Sequence, residues 1–121
     1  MKFSQEELYS EGYHFYEKGD YAKALPFFKY LTVTEPFEER YWRGLGATLQ
    51  MNKNYEDALL AWSMSAILKE SDPLPHVFAA ECLLLLENKE EASKALKTAK
   101  RKNCDEALLK HIEDIELCLI R

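Results

Sequence analysis

Glycine and cysteine are scarce in this chain, basic charge is in deficit, and long apolar runs are missing. The four glycines form no phosphate-cradling loop, and no nucleophile elbow appears. Cys82, Cys104 and Cys118 are odd in number and fit no metal or redox spacing, the pattern of reduced thiols in a cytosolic protein. His14, His76 and His111 are scattered, with no His-Glu-x-x-His pair. Catalysis, metal binding and cofactors are therefore not expected. Sixteen Lys and Arg stand against 21 Asp and Glu, a net charge of −5, which gives no general attraction to nucleic acid or to an anionic membrane. The basic run Lys100-Arg101-Lys102 closes a predicted helix, where cations are favoured in any case. The longest apolar run, Phe78 to Leu86, is broken by Glu81 and too short to span a bilayer. Met1-Lys2-Phe3 leads straight into a polar run, so no signal peptide is expected.

What the chain does have is a period. Apolar residues make up 47% and charged residues 31% of 121 positions, the balance of one folded helical domain. Shifted back by 34 residues, Gly46 falls on Gly12, Tyr55 on Tyr21, Ala58 on Ala24 and Trp62 on Phe28. Shifted forward, Ala58 falls on Ala92 and Gly46 on Ala80. A 34-residue step with small residues in register is the signature of the tetratricopeptide repeat, a helix–turn–helix unit. Gly46 is expected where two helices approach closely, with Trp42, Leu45 and Leu49 on one helix face and Trp62 filling the gap toward the next unit. The predicted fold is all-α: three repeats, about 5–38, 39–72 and 73–104, in a right-handed superhelix, with a capping helix at about 105–120.

Local signals agree. Ser4 and Glu7 form a capping box, and Gly19-Asp20 ends the first helix and caps the second. Pro26 falls inside that second helix, where it removes one backbone hydrogen bond and predicts a kink. Asn54 is expected to cap the fourth helix. Asp72-Pro73 reads as a cap with proline at the first helical position, Asn88 restarts the chain, and Asn103 with Glu106 reads as a further capping box. Leu108, Ile112, Ile115 and Leu119 give the last helix one apolar face.

In stacked helix pairs the first helices line the concave face. Residues beside the packing positions there are Tyr9, Tyr13 and Tyr16, with Tyr21 at the turn; then Arg40, Arg43, Ala47 and Gln50; then Val77, Phe78, Glu81 and Leu84. With Leu8, Gly12 and Phe15 already on the packing face, the tyrosine stripe is expected to face a ligand. Tyrosine suits a peptide groove because a large apolar ring carries a hydroxyl that can meet backbone groups.

Gly44-Leu45-Gly46-Ala47 after Arg40-Tyr41-Trp42, and Ala79-Ala80-Glu81-Cys82-Leu83-Leu84 behind Pro73 and Pro75, resemble the tetratricopeptide chaperones of type III secretion translocators, over about residues 5–120. The resemblance implies a bacterial cytoplasmic protein, without enzymatic activity, that keeps a hydrophobic translocator soluble and ready for export. It would hold an extended, proline-punctuated segment near that partner's N-terminus in the concave groove. It implicates Tyr9, Tyr13, Tyr16, Tyr21, Leu45 and Trp62 as groove or pocket residues. The family's N-terminal helical segment, often used in dimerisation, has no counterpart before the first repeat, so a homodimer stays an open expectation. The competing reading is a generic tetratricopeptide scaffold or co-chaperone. A clamp for an acidic C-terminus would need Lys, Asn and Arg where this chain has Tyr9, Tyr13, Leu74 and Phe78.

Overall fold

A computed structural model describes residues 2–121. Its described residues form seven α-helices and no strand: α1 Gln5–Glu17, α2 Tyr21–Thr34, α3 Glu39–Met51, α4 Tyr55–Leu68, α5 Leu74–Leu85, α6 Lys89–Lys100 and α7 Glu106–Leu119. Each helix packs on the next, α1 also touches α3, and α7 lies against both α6 and α5. This is a stack of three antiparallel pairs closed by one extra helix.

The 34-residue period recurs in the backbone. Gly19, Lys53 and Glu87 all adopt positive φ, 78°, 64° and 62°. Behind them Asp20, Asn54 and Asn88 donate their N–H groups to Phe15, Leu49 and Leu83 carbonyls at 2.8–2.9 Å. Gly19, Lys53 and Glu87 donate to Tyr16, Gln50 and Leu84 at 3.0 Å. Together these are three Schellman endings in register, each running directly into the next helix. Only the first uses glycine, so the other two were not legible as helix stops.

The caps need three corrections. Asn54 makes no side-chain cap; its Oδ1 accepts from Asn52 instead. Asp72 does cap, accepting from the Leu74 N–H at 2.9 Å, but α5 begins at Leu74, one residue later than the Asp72-Pro73 reading placed it. The cap of α7 is Asp105, which accepts from the Leu108 N–H at 2.8 Å, and Asn103 takes no part. The capping box at Ser4 and the caps at Asp20 and Asn88 form as expected.

Two apolar clusters fill the stack. The first joins Ala24, Phe28, Leu31, Tyr41, Leu45, Leu49, Ala58, Ala61, Trp62 and Cys82. The second joins Val77, Ala80, Ala92, Leu96 and Ala99 with Ile112 and Ile115 of α7. Tyr41, rather than Trp42, is the buried aromatic at the start of α3; Trp42 is half-buried and donates its Nε1–H to the Pro36 carbonyl at 2.7 Å.

Aromatic rings and missing side chains set the helix spacing. A Cβ on Gly12 would lie 2.9 Å from the Phe28 ring, and one on Gly46 would lie 2.9 Å from the Trp62 indole. These are the same contact one repeat apart. The expected close approach at Gly46 is present, and the group pressed against it is the indole. At the next interface Phe28 presses on α3 at Gly44, where a Cβ would come within 2.5 Å of the ring. One repeat on, Trp62 meets Phe78 instead, ring on ring at 4.8 Å.

Candidate functional site

The expected groove residues come from α1, α3 and α5, with Tyr21 opening α2 and Trp62 on α4. On α1 the spacing of Tyr9, Tyr13 and Tyr16 places their rings in a row. Tyr9 meets Tyr13 edge-on at 4.9 Å, Tyr13 meets Tyr16 at 5.8 Å, and Tyr16 meets Tyr21 at 5.5 Å. All four are half-buried. The row also leans on the core, because Tyr13 lies 5.1 Å from the Phe28 ring and Tyr9 lies 5.4 Å from Tyr41. The sequence argument that packing and stripe are separate thus needs amending: each ring seals the core with one face and leaves the rest outside. Burial, then the neighbouring Tyr9, holds the Tyr13 hydroxyl well above its usual range, so it stays protonated; burial and Tyr21 act likewise on Tyr16.

On α3, Arg40 is held by two carboxylates through one nitrogen. Its Nη2 lies 2.9 Å from Glu6 and 3.3 Å from Glu38, and the guanidinium covers the rings of Tyr9 and Tyr41 at 5.0 and 5.6 Å. Arg43, one turn on, pairs only with Glu39 among the described residues, at 3.4 Å. Gln50 stands at the centre of a relay: it accepts from the Trp62 Nε1–H at 2.9 Å and donates to Glu81 at 3.1 Å. The other Glu81 oxygen meets His111 Nε2 of α7 at 2.9 Å. Around this relay Tyr16, Ala47, Gln50, Met51, Trp62, Phe78 and Glu81 line a cleft of about 180 Å³.

Several expected residues are buried or lean on the core. Val77 is fully buried in the second cluster, because α5 has neighbours in α4, α6 and α7 and little of its surface remains free. Leu45 is 8% exposed and belongs to the first cluster, between α3 and its neighbours. Trp62 is 2% exposed and reaches the cleft only as its floor. Leu84 is half-buried against the second cluster. Two contributors were missed. Met51, half-exposed at the end of α3, lines the cleft, and His111 reaches Glu81 from outside the repeats, where no period points to it.

Among the described residues no three His, Cys, Asp or Glu side chains gather in a metal-binding group. The Cys82 thiol is pushed up to about 12 by burial and by Glu81, so it is not a thiolate at neutral pH. No described helix is long and apolar enough to cross a membrane.

Comparison with known proteins matches this geometry. The tetratricopeptide repeat family model matches residues 6–36 and 41–72, the first two helix pairs. PcrH of Pseudomonas aeruginosa, solved in complex with the chaperone binding region of PopB, superposes with a TM-score of 0.83 at 30% identity, over 92% of this chain and 93% of that one. The Yersinia enterocolitica type III secretion chaperone SycD, solved with a peptide of the translocator YopD, gives a TM-score of 0.88 at 28% identity over 94% and 90%. The chain belongs to the tetratricopeptide-repeat chaperones of type III secretion translocators. Among curated members of this family, the chaperone protein SicA of Salmonella typhimurium is 29% identical over 110 residues. These cover 91% of this chain but 61% of SicA, so the chain spans less than two thirds of that relative's length. The relatives are chaperones, a non-enzymatic role.

Proposed function

We propose that this protein is a bacterial cytoplasmic chaperone of type III secretion. In this reading it binds an extended segment near the N-terminus of a hydrophobic translocator, keeps that partner soluble and export-competent, and performs no turnover. The observation that carries the proposal is the half-buried tyrosine row running into the Trp62–Phe78 cleft, on a fold whose solved relatives hold translocator-derived segments. The groove we assign comprises Tyr9, Tyr13, Tyr16 and Tyr21, Arg40 and Arg43, Gln50, Phe78 and Glu81, with Trp62 beneath them. An apolar segment that seeks a membrane aggregates when left exposed. A preformed groove masks it without having to reorganise first. No cofactor, nucleic acid or direct membrane contact enters this mechanism, and a homodimer is compatible with it.

Tyr13 and Tyr16 provide the test. Tyr13 supports Phe28, so Tyr13→Ala is expected to lower both melting temperature and affinity. Tyr16 lies between Tyr13, Tyr21 and the cleft and makes less core contact. Tyr16→Ala is therefore expected to melt within a few degrees of the parent while losing about 1–3 kcal/mol of binding, roughly tenfold or more. Titration with an N-terminal translocator fragment reads the affinity. Unchanged binding by folded Tyr16→Ala would remove the groove from this face.

A further inference from the structure

Arg40 and Arg43 stand one turn apart on α3, yet their surroundings differ. Arg40 has two carboxylates and two rings. For Arg43, the Nε–H is buried and has no hydrogen-bond partner among the described residues. Its Nη2 reaches Glu39 only at 3.4 Å, with no hydrogen bond, and the second Glu39 oxygen is held by Ser65 Oγ at 2.7 Å. A guanidinium carries a planar fork of five donors; the Nε–H is buried, so the Nη groups are the donors that a ligand can reach. The side chain is still 38% exposed, and it lies one and two turns before Ala47 and Gln50, which line the cleft, on the same face of α3.

Along α3 the same face continues through Ala47 to Gln50, roughly 10 Å away at 1.5 Å per residue. There Gln50 holds Glu81, whose oxygens are both occupied. The floor therefore offers a cation with spare donors at one end and a satisfied carboxylate at the other. A backbone carbonyl would use part of the fork, but a carboxylate supplies two acceptors in the matching plane and neutralises the charge. Glu39, tied to Ser65, is not free to do both.

From this geometry we infer that Arg43 is a specificity residue of the groove, reading an acidic side chain at one fixed position of the extended segment. The inference rests on the groove reading above and adds the charge pattern of the ligand. It also sets register: an acid seated at Arg43 fixes which residue of the segment lies over that position.

The experiment uses the chaperone binding region of PopB and the YopD peptide, with each position replaced in turn by Asp and by Asn. Affinity is read by fluorescence anisotropy against the full chain. The expected result is one position where Asp binds about tenfold more tightly than Asn. That preference should disappear in Arg43→Gln and shrink in Arg43→Lys, which keeps the charge but loses the fork. Asp and Asn peptides binding equally at every position would overturn the inference while leaving the groove reading intact. Binding of neither series, by a parent protein that melts cooperatively, would overturn both. Because the first comparison uses the parent protein, a poorly folded Arg43 variant does not blur the outcome. A preference that persists in folded Arg43→Gln would assign the acid to another residue.

Discussion

Phe28 and Trp62 occupy the same register position, and each presses on the small residue opposite it, Gly12 or Gly46. What they meet at the following interface differs, and that difference makes Gly44 a stricter position than its neighbours. A Cβ at Gly44 would stand 2.5 and 2.7 Å from two atoms of the Phe28 ring, itself fully buried. The ring has no space to retreat into. Gly44→Ala is expected to cost about 1–3 kcal/mol, the usual effect of overpacking, and more than Gly46→Ala, where the nearest indole atoms stand at 2.9 Å. Thermal melts of both variants check the order; equal midpoints would show that Phe28 shifts freely. In the sequence, Gly46 stands out through its match to Gly12, whereas Gly44 has no glycine 34 residues away and enters only through the resemblance of its stretch, with no packing role read for it.

At the scale of the element, the three Schellman endings do the same work with different residues. Gly19 enters the left-handed region without strain, while Lys53 and Glu87 carry a Cβ there. Both ends hold because the hydrogen bonds from Asn54 and Asn88 to the preceding helices, and the packing of the next helix, fix the turn. Relieving the strain should stabilise the stack. Lys53→Gly is expected to gain about 0.5–1 kcal/mol, after the entropy that glycine adds to the unfolded chain, and to raise the melting midpoint by about 2–4 °C. Lys53 is exposed and is not among the residues lining the cleft, so ligand affinity is a separate measurement. A lower midpoint would refute the account of the turn. The caps were legible where a polar residue sat directly before an apolar period, as at Ser4 and Asp20. The cap was misplaced at Asn103 because the helix starts at Glu106, which makes Asp105 the N-cap, accepting from the Leu108 N–H.

Over the whole molecule, α7 closes an apolar cluster that the three repeats leave open. Ile112 is fully buried and Ile115 is 7% exposed, both against Val77, Leu96 and Ala99. Each repeat in such a stack depends on its neighbour for half of its core, so the terminal unit needs a cover. Ile112→Ala is expected to cost about 2–5 kcal/mol. Ile112→Asp should release the helix and produce concentration-dependent association, read by light scattering. A monodisperse, fully stable Ile112→Asp protein would mean that α7 is not the cover. The same helix brings His111 to Glu81, so the cap and the groove floor share one polar relay.

The period of 34, the three helix pairs and the covering helix were all determined by the sequence alone, because small residues and aromatic residues recur at fixed steps and helix faces follow from spacing within a segment. The tyrosine row was legible for the same reason. Tertiary structure decided how much of each helix remained free. Leu45 and Val77 share helices with cleft-lining residues but lie inside, since α3 and α5 are each enclosed by several neighbours, and no count along one helix reveals how many helices surround it. It also decided the unequal pairing of Arg40 and Arg43. Two arginines three residues apart look equivalent in sequence, and only the positions of Glu6, Glu38, Glu39 and Ser65 in space give Arg40 two carboxylate hydrogen bonds and leave Arg43 with none and with a buried, unpartnered Nε–H.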